Sequence, residues 1–349
     1  GFRGTRWAAP SPVLARKARA VEGTATTCLL VANPYAGGVR RASDLARVER
    51  RLRSAGVEVR RVPAPRPSDV ADALREALRG ESPERTRVIV AGGDGTINAA
   101  LPALMGTEFP LAVVPVGTLN VLARQLGVPL SLDAAADAAI GGGVRRIDLG
   151  IANGRPFSLM AGMGFDAAIV QQVVPALNKK SPVGLCAYLT RCLRLLREYS
   201  PSWFRVTTER LSFETRAWLV VVANASRYAY SWHLAPGASM DDGWLDLWLF
   251  QSSSPAQTAG QLLAILRSRP EGYPGVYHTR ARSLRVECDP PLLLQVDGDA
   301  AGCTPADISV LPKALACVAP ARSERVCRRR TRRTPPWIKG IVPGHVGSG

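Results

Sequence analysis

The sequence has 349 residues, and at roughly 150 residues per domain this length predicts two domains. Hydrophobic residues make up 46% and charged residues 21%, values that exclude a collagen, a coiled coil and a fully disordered chain. No uninterrupted apolar run approaches the ~20 residues that a membrane-spanning helix needs. The formal net charge of +17 favours an anionic partner, such as a nucleotide or a membrane surface.

The ends of the chain and the cysteines add two further expectations. Arginine-rich segments predict a flexible basic arm at residues 1–26 and a disordered basic tail at residues 321–349. The seven cysteines are scattered without a Cys-x-x-Cys pair, and only three histidines occur. This spacing argues against a zinc cluster and a disulfide framework, so we expect reduced thiols in a cytoplasmic protein.

The first part of the chain, residues 27–143, alternates strand-like and helix-like patterns. Short apolar runs predict buried strands at Cys28–Asn33, Arg87–Ala91 and Leu111–Val114. Apolar residues repeating every three or four positions predict helices between them, at Ser43–Ala55, Ser68–Leu78 and Thr96–Met105. Ser68 is the expected N-cap of the second helix. Strands alternating with helices across short loops predict a parallel sheet that is covered on both faces.

The pattern changes over residues 144–320. Two helices are predicted there, at Ala167–Ala176 and Gly184–Glu198. Eight segments separated by turn residues predict strands, at Arg145–Ala152, Phe157–Ala161, Phe204–Thr208, Arg216–Ala223, Leu245–Phe250, Ser283–Glu287, Leu292–Val296 and Ile308–Leu311. Many strands with few helices indicate an antiparallel β-sandwich or barrel as the second domain.

Three loops of the first domain share one layout, because each follows a predicted strand and carries glycine. They are Asn33–Gly38, Gly92–Asn98 and Pro115–Asn120. Loops at the carboxyl ends of parallel strands converge on one crevice, where backbone N–H groups and helix N-termini bind phosphate. Asp94 would repel a phosphate unless a cation lies between them, as in a magnesium–triphosphate complex. The alternative is that Asp94 only closes a turn or caps the helix that begins at Thr96.

The residues of these loops carry a resemblance to a known family. Gly-Gly-Asp-Gly-Thr-Ile-Asn and Pro-Val-Gly-Thr-Leu-Asn resemble the catalytic domain of the diacylglycerol kinase and sphingosine kinase family, especially its bacterial lipid kinases. Asn33–Gly37 looks like the first nucleotide loop of that family. Further similar motifs follow in family order, at Leu122–Arg124, Ile147–Gly150, Gly162–Ala167, Ala223–Asn224, Leu234–Pro236, Asp242–Gly243 and Asp297–Gly298.

The resemblance implies an α/β nucleotide-binding domain with a Rossmann-like, NAD-kinase-like parallel sheet, followed by an antiparallel β-sandwich domain. It implies an ATP- and Mg²⁺-dependent lipid kinase that phosphorylates diacylglycerol or a related glycerolipid in the cleft between them. Asp94 would help to organise Mg–ATP. The implied ATP-binding residues are Asn33, Pro34, Tyr35, Ala36, Gly37, Gly92, Gly93, Asp94, Gly95, Thr96, Ile97, Asn98, Thr118 and Arg124.

Arg124 on this list has a basis and an alternative of its own. An arginine in the helix after a Gly-Thr loop suits bidentate contact with a phosphate, so Arg124 is a reasonable ligand from its position alone. The alternative is a surface arginine on an amphipathic helix. At the first loop, Gly38 stands where many relatives carry a lysine.

A second acidic site follows the predicted strand Leu292–Val296. Asp297 and Asp299 flank a glycine there, and phosphoryl transfer to an alcohol needs a base near the hydroxyl group. The family pattern is Asp-Gly-Glu, whose last acid is the proton acceptor, so the resemblance implies Asp299, or else Asp297, as the catalytic base. Aspartate is one methylene shorter than glutamate. From the local sequence alone, Asp-Gly-Asp is better explained as a β-turn, and it is the resemblance that favours a catalytic role.

The turn Ser239–Trp244 resembles a structural magnesium site of the bacterial relatives. The resemblance implies a carboxylate from Asp242 and backbone carbonyl groups from Ser239 and Trp244, and oxygen ligands suit Mg²⁺. The alternative is a hairpin turn between two strands, and both can hold together.

A lipid acceptor lies in a membrane, so we expect peripheral binding at the inner membrane face. The helix Gly184–Tyr199 mixes arginine with leucine, as interfacial helices do, and Arg328–Arg333 resembles a polybasic membrane-surface segment. A packed helix with solvated arginines is an equal alternative for the first. No motif for specific nucleic-acid binding is present. A homodimer is left open.

Two other functions compete with the lipid kinase. One is a soluble-metabolite kinase of the NAD kinase type, which also carries a Gly-Gly-Asp-Gly-Thr loop. The other is a catalytically weak regulator that binds nucleotide or lipid. The shortened acid at Asp299 and the glycine at Gly38 motivate the second alternative.

Overall fold

The computed structural model of the chain describes residues 26–32, 39–172, 190, 194–195, 199–228 and 232–320. The predicted loop Asn33–Gly38, most of the predicted helix Gly184–Glu198 and both basic ends lie outside the described residues.

The first part of the chain forms the parallel half of a large mixed sheet, as the sequence predicts. Four parallel strands stand in the order β2–β1–β3–β4, with the bounds β1 Thr27–Ala32, β2 Glu58–Val62, β3 Thr86–Gly92 and β4 Leu111–Pro115. Both β3 and β4 are buried along their whole length, which explains why they read as unbroken apolar runs. The helices are α1 Val39–Ser54, α2 Val70–Ala77, α3 Asp94–Leu104, α4 Val121–Leu126 and α5 Leu132–Gly141.

The remaining strands of this sheet, sheet A, pair with one another in antiparallel orientation. In the strand order of sheet A, β4 is followed by β18, β15, β8 and β9. Two further strands lie off this path, since β5 pairs with β18 and β6 pairs with β5. Their bounds are β5 Gly143–Ala152, β6 Arg155–Phe157, β8 Ser202–Thr208, β9 Ser212–Ala217, β15 Ser283–Cys288 and β18 Ala306–Ala319. Strand β18, the last strand of the described residues, reaches β4 through the parallel pair Cys317–Leu111, so it joins both parts of the fold.

A second, antiparallel sheet, sheet B, packs against this half. Its order is β14–β13–β10–β7–β16–β17, with the bounds β7 Met160–Gly164, β10 Leu219–Ala223, β13 Leu245–Phe250, β14 Val276–Ala281, β16 Leu293–Val296 and β17 Asp299–Cys303. Helix α6 spans Phe165–Gln172 and helix α7 spans Pro255–Leu266. A short ribbon pairs β11 Arg227–Tyr228 with β12 Trp232–His233. The predicted fold class, an α/β domain with an antiparallel β-sandwich, is confirmed.

Apolar side chains fill the space between the two sheets. Phe157, Phe204, Val220 and Leu247 are fully or almost fully buried in this sandwich core. A separate core, which includes Leu30, lies around the parallel strands and extends to residues of sheet B such as Trp248. Burial of this kind contributes roughly 25 cal/mol per Å² of apolar surface and is the main stabilising term of each half.

Several element boundaries differ from the sequence predictions. Helix α3 begins at Asp94, two residues before the predicted start, and the predicted strands Phe157–Ala161 and Arg216–Ala223 are each divided between two strands. Helix α1 begins at Val39, four residues before the predicted start. Ser68 is not an N-cap, because Pro67 starts a 3₁₀ turn and Asp69 takes the cap position of α2. Proline has a fixed φ angle that suits the first position of a helical turn, so the chain coils one step earlier than the serine suggests.

Candidate active site

Two of the three predicted glycine loops are in direct backbone contact. Gly92 pairs with Pro115 at the carboxyl ends of β3 and β4, and the Val116 N–H donates to the Gly92 carbonyl at 3.1 Å. A Cβ atom on Gly93 would lie 3.1 Å from the Cα atom of Gly117, and one on Gly117 would overlap Gly93. Only glycine therefore allows the two turns to touch.

Asp94 joins these turns by capping a helix. It is the first residue of α3, and its two carboxylate oxygens accept the N–H groups of Val121 and Leu122 at 3.1 and 3.0 Å. Sequence reasoning considered a cap on the helix of Asp94 itself, but the hydrogen bonds go to the next helix, α4. A carboxylate oxygen has two lone pairs, so each oxygen can accept a further donor, such as a metal-bound water.

The turn between β4 and α4 is held by its own side chains. Asn120 has a φ of 48° and donates from Nδ2 to the Gly117 carbonyl at 2.9 Å. Arg124 donates from Nε to the Leu119 carbonyl at 3.0 Å, which folds its guanidinium back towards the turn. Thr118 is exposed. These contacts place two predicted ATP-binding residues, Thr118 and Arg124, on or against one turn.

The first loop, Asn33–Gly38, lies outside the described residues, but its starting point is defined. Strand β1 ends at Ala32, which is paired in parallel with Ala91 near the end of β3. Strand β1 therefore ends at the same edge of the sheet as β3.

Asp297 anchors the acidic turn of the second domain. Its carboxylate accepts the N–H groups of Ser158, Leu159 and Met160 at 2.6–2.9 Å, and the Ser158 hydroxyl at 2.9 Å. Desolvation raises the pKa of Asp297 to about 6, while these donors favour the ionised form. A carboxylate with four donors is held in place, so Asp297 fixes the turn against the start of β7.

Asp299 meets the glycine loops through Asn98. The Asn98 side chain donates from Nδ2 to the Asp299 carboxylate at 3.3 Å and to the Asp297 carbonyl at 3.4 Å. Asn98 lies in the first turns of α3, and Asp299 begins β17. The two motifs that the sequence places about 200 residues apart therefore meet at the junction of the two halves of the fold, which is called the cleft below.

A buried network behind the acidic turn was missed by sequence reasoning. Asp166 accepts the Tyr228 hydroxyl at 2.6 Å and Gln295 Nε2 at 2.5 Å, and the Oε1 of Gln295 accepts the Gly298 N–H at 2.7 Å. Burial raises the pKa of the Asp166 carboxyl group, because desolvation outweighs its two donors. The signal was a glutamine within an apolar strand, since a buried polar side chain needs a partner.

The predicted magnesium turn, Ser239–Trp244, is a salt-bridged turn in the structure. Asp242 accepts the Trp244 N–H at 3.1 Å through one oxygen and forms an ion pair with Arg280 through the other. Among the described residues no group of three His, Cys, Asp or Glu side chains could hold a metal ion. The turn borders a pocket of about 550 Å³ that is also lined by Asp148. The predicted site uses one carboxylate and two backbone carbonyl groups, so the magnesium assignment stays a prediction.

Comparison with known proteins agrees with this architecture. Residues 27–152 match the diacylglycerol kinase catalytic domain, and residues 160–319 match the YegS C-terminal NAD kinase beta sandwich-like domain. A diacylglycerol kinase of Mycobacterium tuberculosis is 32% identical over 279 residues, covering 77% of this chain and 87% of the relative. A crystal structure of a diacylglycerol kinase from Bacillus anthracis has a TM-score of 0.69 at 24% identity, covering 87% of this chain and 98% of that one.

A longer relative also matches. An uncharacterized protein of Synechocystis is 29% identical over 243 residues, which make up 68% of this chain and 55% of the relative. This chain therefore spans about half the length of that protein.

The matched domains and the cleft between them define the class of protein as a kinase with an alcohol group as its acceptor. The chain belongs to the diacylglycerol kinase family, as the motifs at Gly92–Asn98 and Pro115–Asn120 predict. Within the described part of the chain, no helix has the length and apolar character that crossing a bilayer requires.

The contact between the glycine turns gives a first prediction. We expect Gly117→Ala to lower the free energy of unfolding by about 1–3 kcal/mol, because the new methyl group overlaps backbone that cannot rotate away. Gly95→Ala is the matched control, since a Cβ atom on Gly95 meets nothing within 4 Å. Inside helix α3 that control should be neutral or stabilising by about 0.5–1 kcal/mol. Chemical denaturation of both variants measures the difference, and equal effects would refute the close contact.

Proposed function

We propose that this chain is an ATP- and Mg²⁺-dependent lipid kinase that transfers the γ-phosphate of ATP to the hydroxyl group of diacylglycerol or a related glycerolipid. The observation that carries the proposal is the contact between Asn98 and Asp299. In this contact, a side chain of the glycine-rich phosphate loop donates a hydrogen bond directly to the proposed carboxylate base. Phosphoryl transfer depends mainly on such positioning. Relatives named diacylglycerol kinases support the class of acceptor.

The phosphate donor binds at the carboxyl edge of the parallel strands. The N-terminus of α3 offers backbone N–H groups and a partial positive charge to the phosphates. Arg124 adds a full positive charge beside the neighbouring turn. Magnesium enters as part of the Mg–ATP substrate. Each carboxylate oxygen of Asp94 can accept a hydrogen bond from a water molecule bound to that ion.

The acceptor hydroxyl is activated from the sandwich side of the cleft. Asp299 accepts the proton of the lipid hydroxyl as its oxygen attacks the γ-phosphorus, and the bond to the bridging oxygen of ADP breaks. Asn98 positions the Asp299 carboxylate through its amide N–H. Asp297 does not act as the base in this scheme, because its four donors hold it in the turn.

The acceptor is tested directly with purified protein, radiolabelled γ-phosphate ATP and Mg²⁺. Diacylglycerol, phosphatidylglycerol and a sphingoid base are offered in mixed micelles, and NAD is offered in solution. We expect label in phosphatidic acid, and no label when Asp94→Ala replaces the unaltered chain. Label in NADP would identify the soluble-metabolite kinase instead. ATP binding without a labelled product would favour the regulator.

The base is tested by changing its carboxylate. We expect Asp299→Asn to lower kcat by about 10²–10⁴-fold with little change in the KM for ATP, because general-base catalysis contributes in that range. Asp299→Glu, which restores the family residue, should keep activity. The control is Asp307→Asn, a half-exposed carboxylate that pairs with Arg285 on β15 and lies outside the cleft. Full activity of Asp299→Asn would overturn the assignment.

A substitution at Asn98 distinguishes its two possible roles, which are positioning Asp299 and binding the nucleotide. If it positions Asp299, Asn98→Ala should lower kcat about tenfold and leave the KM for ATP within about twofold, since small displacements of a catalytic group carry large costs. A raised KM for ATP with unchanged kcat would return Asn98 to the nucleotide-binding role that the sequence predicts.

A further inference from the structure

Helix α7 has an outer face without charge. None of its twelve residues, Pro255–Leu266, is charged. Its exposed positions follow helical spacing and form the apolar stripe Ala256, Ala259, Leu263 and Leu266. Leu263 is 44% exposed and Leu266 is 39% exposed. The outer face of a helix in a soluble protein normally carries polar or charged side chains, so this stripe calls for a partner.

The inner face of α7 fixes the direction of the stripe. Gln261 is fully buried, accepts the Trp218 indole N–H at 2.6 Å and donates to the carbonyl groups of Gln251 and Pro274. Ser254 caps the helix by accepting the Gln257 N–H at 3.2 Å. Three side-chain hydrogen bonds at one buried residue leave no freedom to rotate the leucines inward. The apolar stripe is a preformed outer surface.

Positive charge follows the stripe directly. Arg267 and Arg269 are exposed at the end of α7, and Glu271 is the only carboxylate in the segment 255–275. Leucines beside arginines complement an anionic lipid surface, since the apolar side chains enter the acyl boundary and the guanidinium groups meet the headgroups.

The stripe is connected to the acidic turn. The His233 N–H of β12 donates to the Ser268 hydroxyl at 2.9 Å, just after α7. The paired strand β11 carries Tyr228, whose hydroxyl begins the network through Asp166 and Gln295 to Gly298. A surface that held a membrane at α7 would therefore lie at a fixed height relative to Asp299.

We propose that the apolar stripe, with Arg267 and Arg269, docks the protein on an anionic lipid membrane from which the acceptor is taken. This inference rests on the proposed lipid kinase function and names the surface that function uses. It requires no contribution from the basic ends of the chain.

Vesicle binding tests the docking surface without any kinase reaction. The full-length chain is sedimented with phosphatidylcholine vesicles that contain about 30% phosphatidylglycerol, at low salt and at about 0.5 M NaCl, where charge attraction is screened. We expect the double variant Leu263→Glu, Leu266→Glu to lower the partition coefficient at least tenfold at both salt concentrations. Arg267→Gln with Arg269→Gln should lower it about fivefold per arginine at low salt only.

The matched control carries the same two changes elsewhere. Leu130 is 44% exposed and Leu311 is 40% exposed, and neither lies on α7. Leu130→Glu with Leu311→Glu should bind vesicles like the unaltered chain. Equal binding by the stripe variant and this control would overturn the proposal, as would failure of the unaltered chain to bind. Loss of a dimer in ultracentrifugation, with vesicle binding unchanged, would instead make the stripe a contact between two copies.

A kinase assay separates this inference from the proposed function. With short-chain diacylglycerol in detergent micelles, the stripe variant should keep its activity, because the cleft is untouched. On vesicles its activity should fall in parallel with binding. If no lipid is phosphorylated in either format, the proposed function fails while the vesicle-binding result still stands.

Discussion

The backbone contact between Gly93 and Gly117 is the constraint on which the cleft depends. Parallel pairing of β3 with β4 brings the two strand ends side by side, and the missing side chains let the following turns touch. This approach puts Asp94 within hydrogen-bond distance of the N-terminus of α4. The start of α3 is thereby fixed, and with it the direction in which Asn98 points. A methyl group at either glycine would disturb every later contact in this series.

On the sandwich side of the cleft, hydrogen bonds hold the exposed turn Asp297–Asp299 in one conformation. Asp297 has a φ of 48° and Gly298 one of 88°, so the turn is sharp. Four donors on the Asp297 carboxylate and the Gln295 side chain on the Gly298 N–H compensate for that conformation. The buried Asp166 orients Gln295 in turn. Asp299 can thus remain accessible, because Asp297 and Gln295 make the hydrogen bonds that hold the turn in place.

Local patterns predicted those parts of the fold that local forces decide. Strands β3 and β4 are recognisable because both faces are buried, and the glycine loops because their spacing matches a family. The partner of the Asp94 carboxylate could not be predicted, since it lies on the next helix along the chain. The contact from Asn98 to Asp299 joins residues 201 positions apart. Contacts of that kind depend on how the two halves pack, which no periodicity within one segment records.

With Asp299 as the proposed base, its shorter side chain sets a requirement on the substrate. Asp299 pairs with Val296 across the turn, and Asp297 is fixed, so the backbone has little room to move. An aspartate there ends ~1.5 Å short of a glutamate, one carbon–carbon bond. On the proposed mechanism, the lipid hydroxyl would have to enter the cleft deeper by about that distance for proton transfer. Docking through the apolar stripe, as proposed, would help to meet this requirement, because the height of the membrane determines how far a glycerol headgroup extends towards the turn.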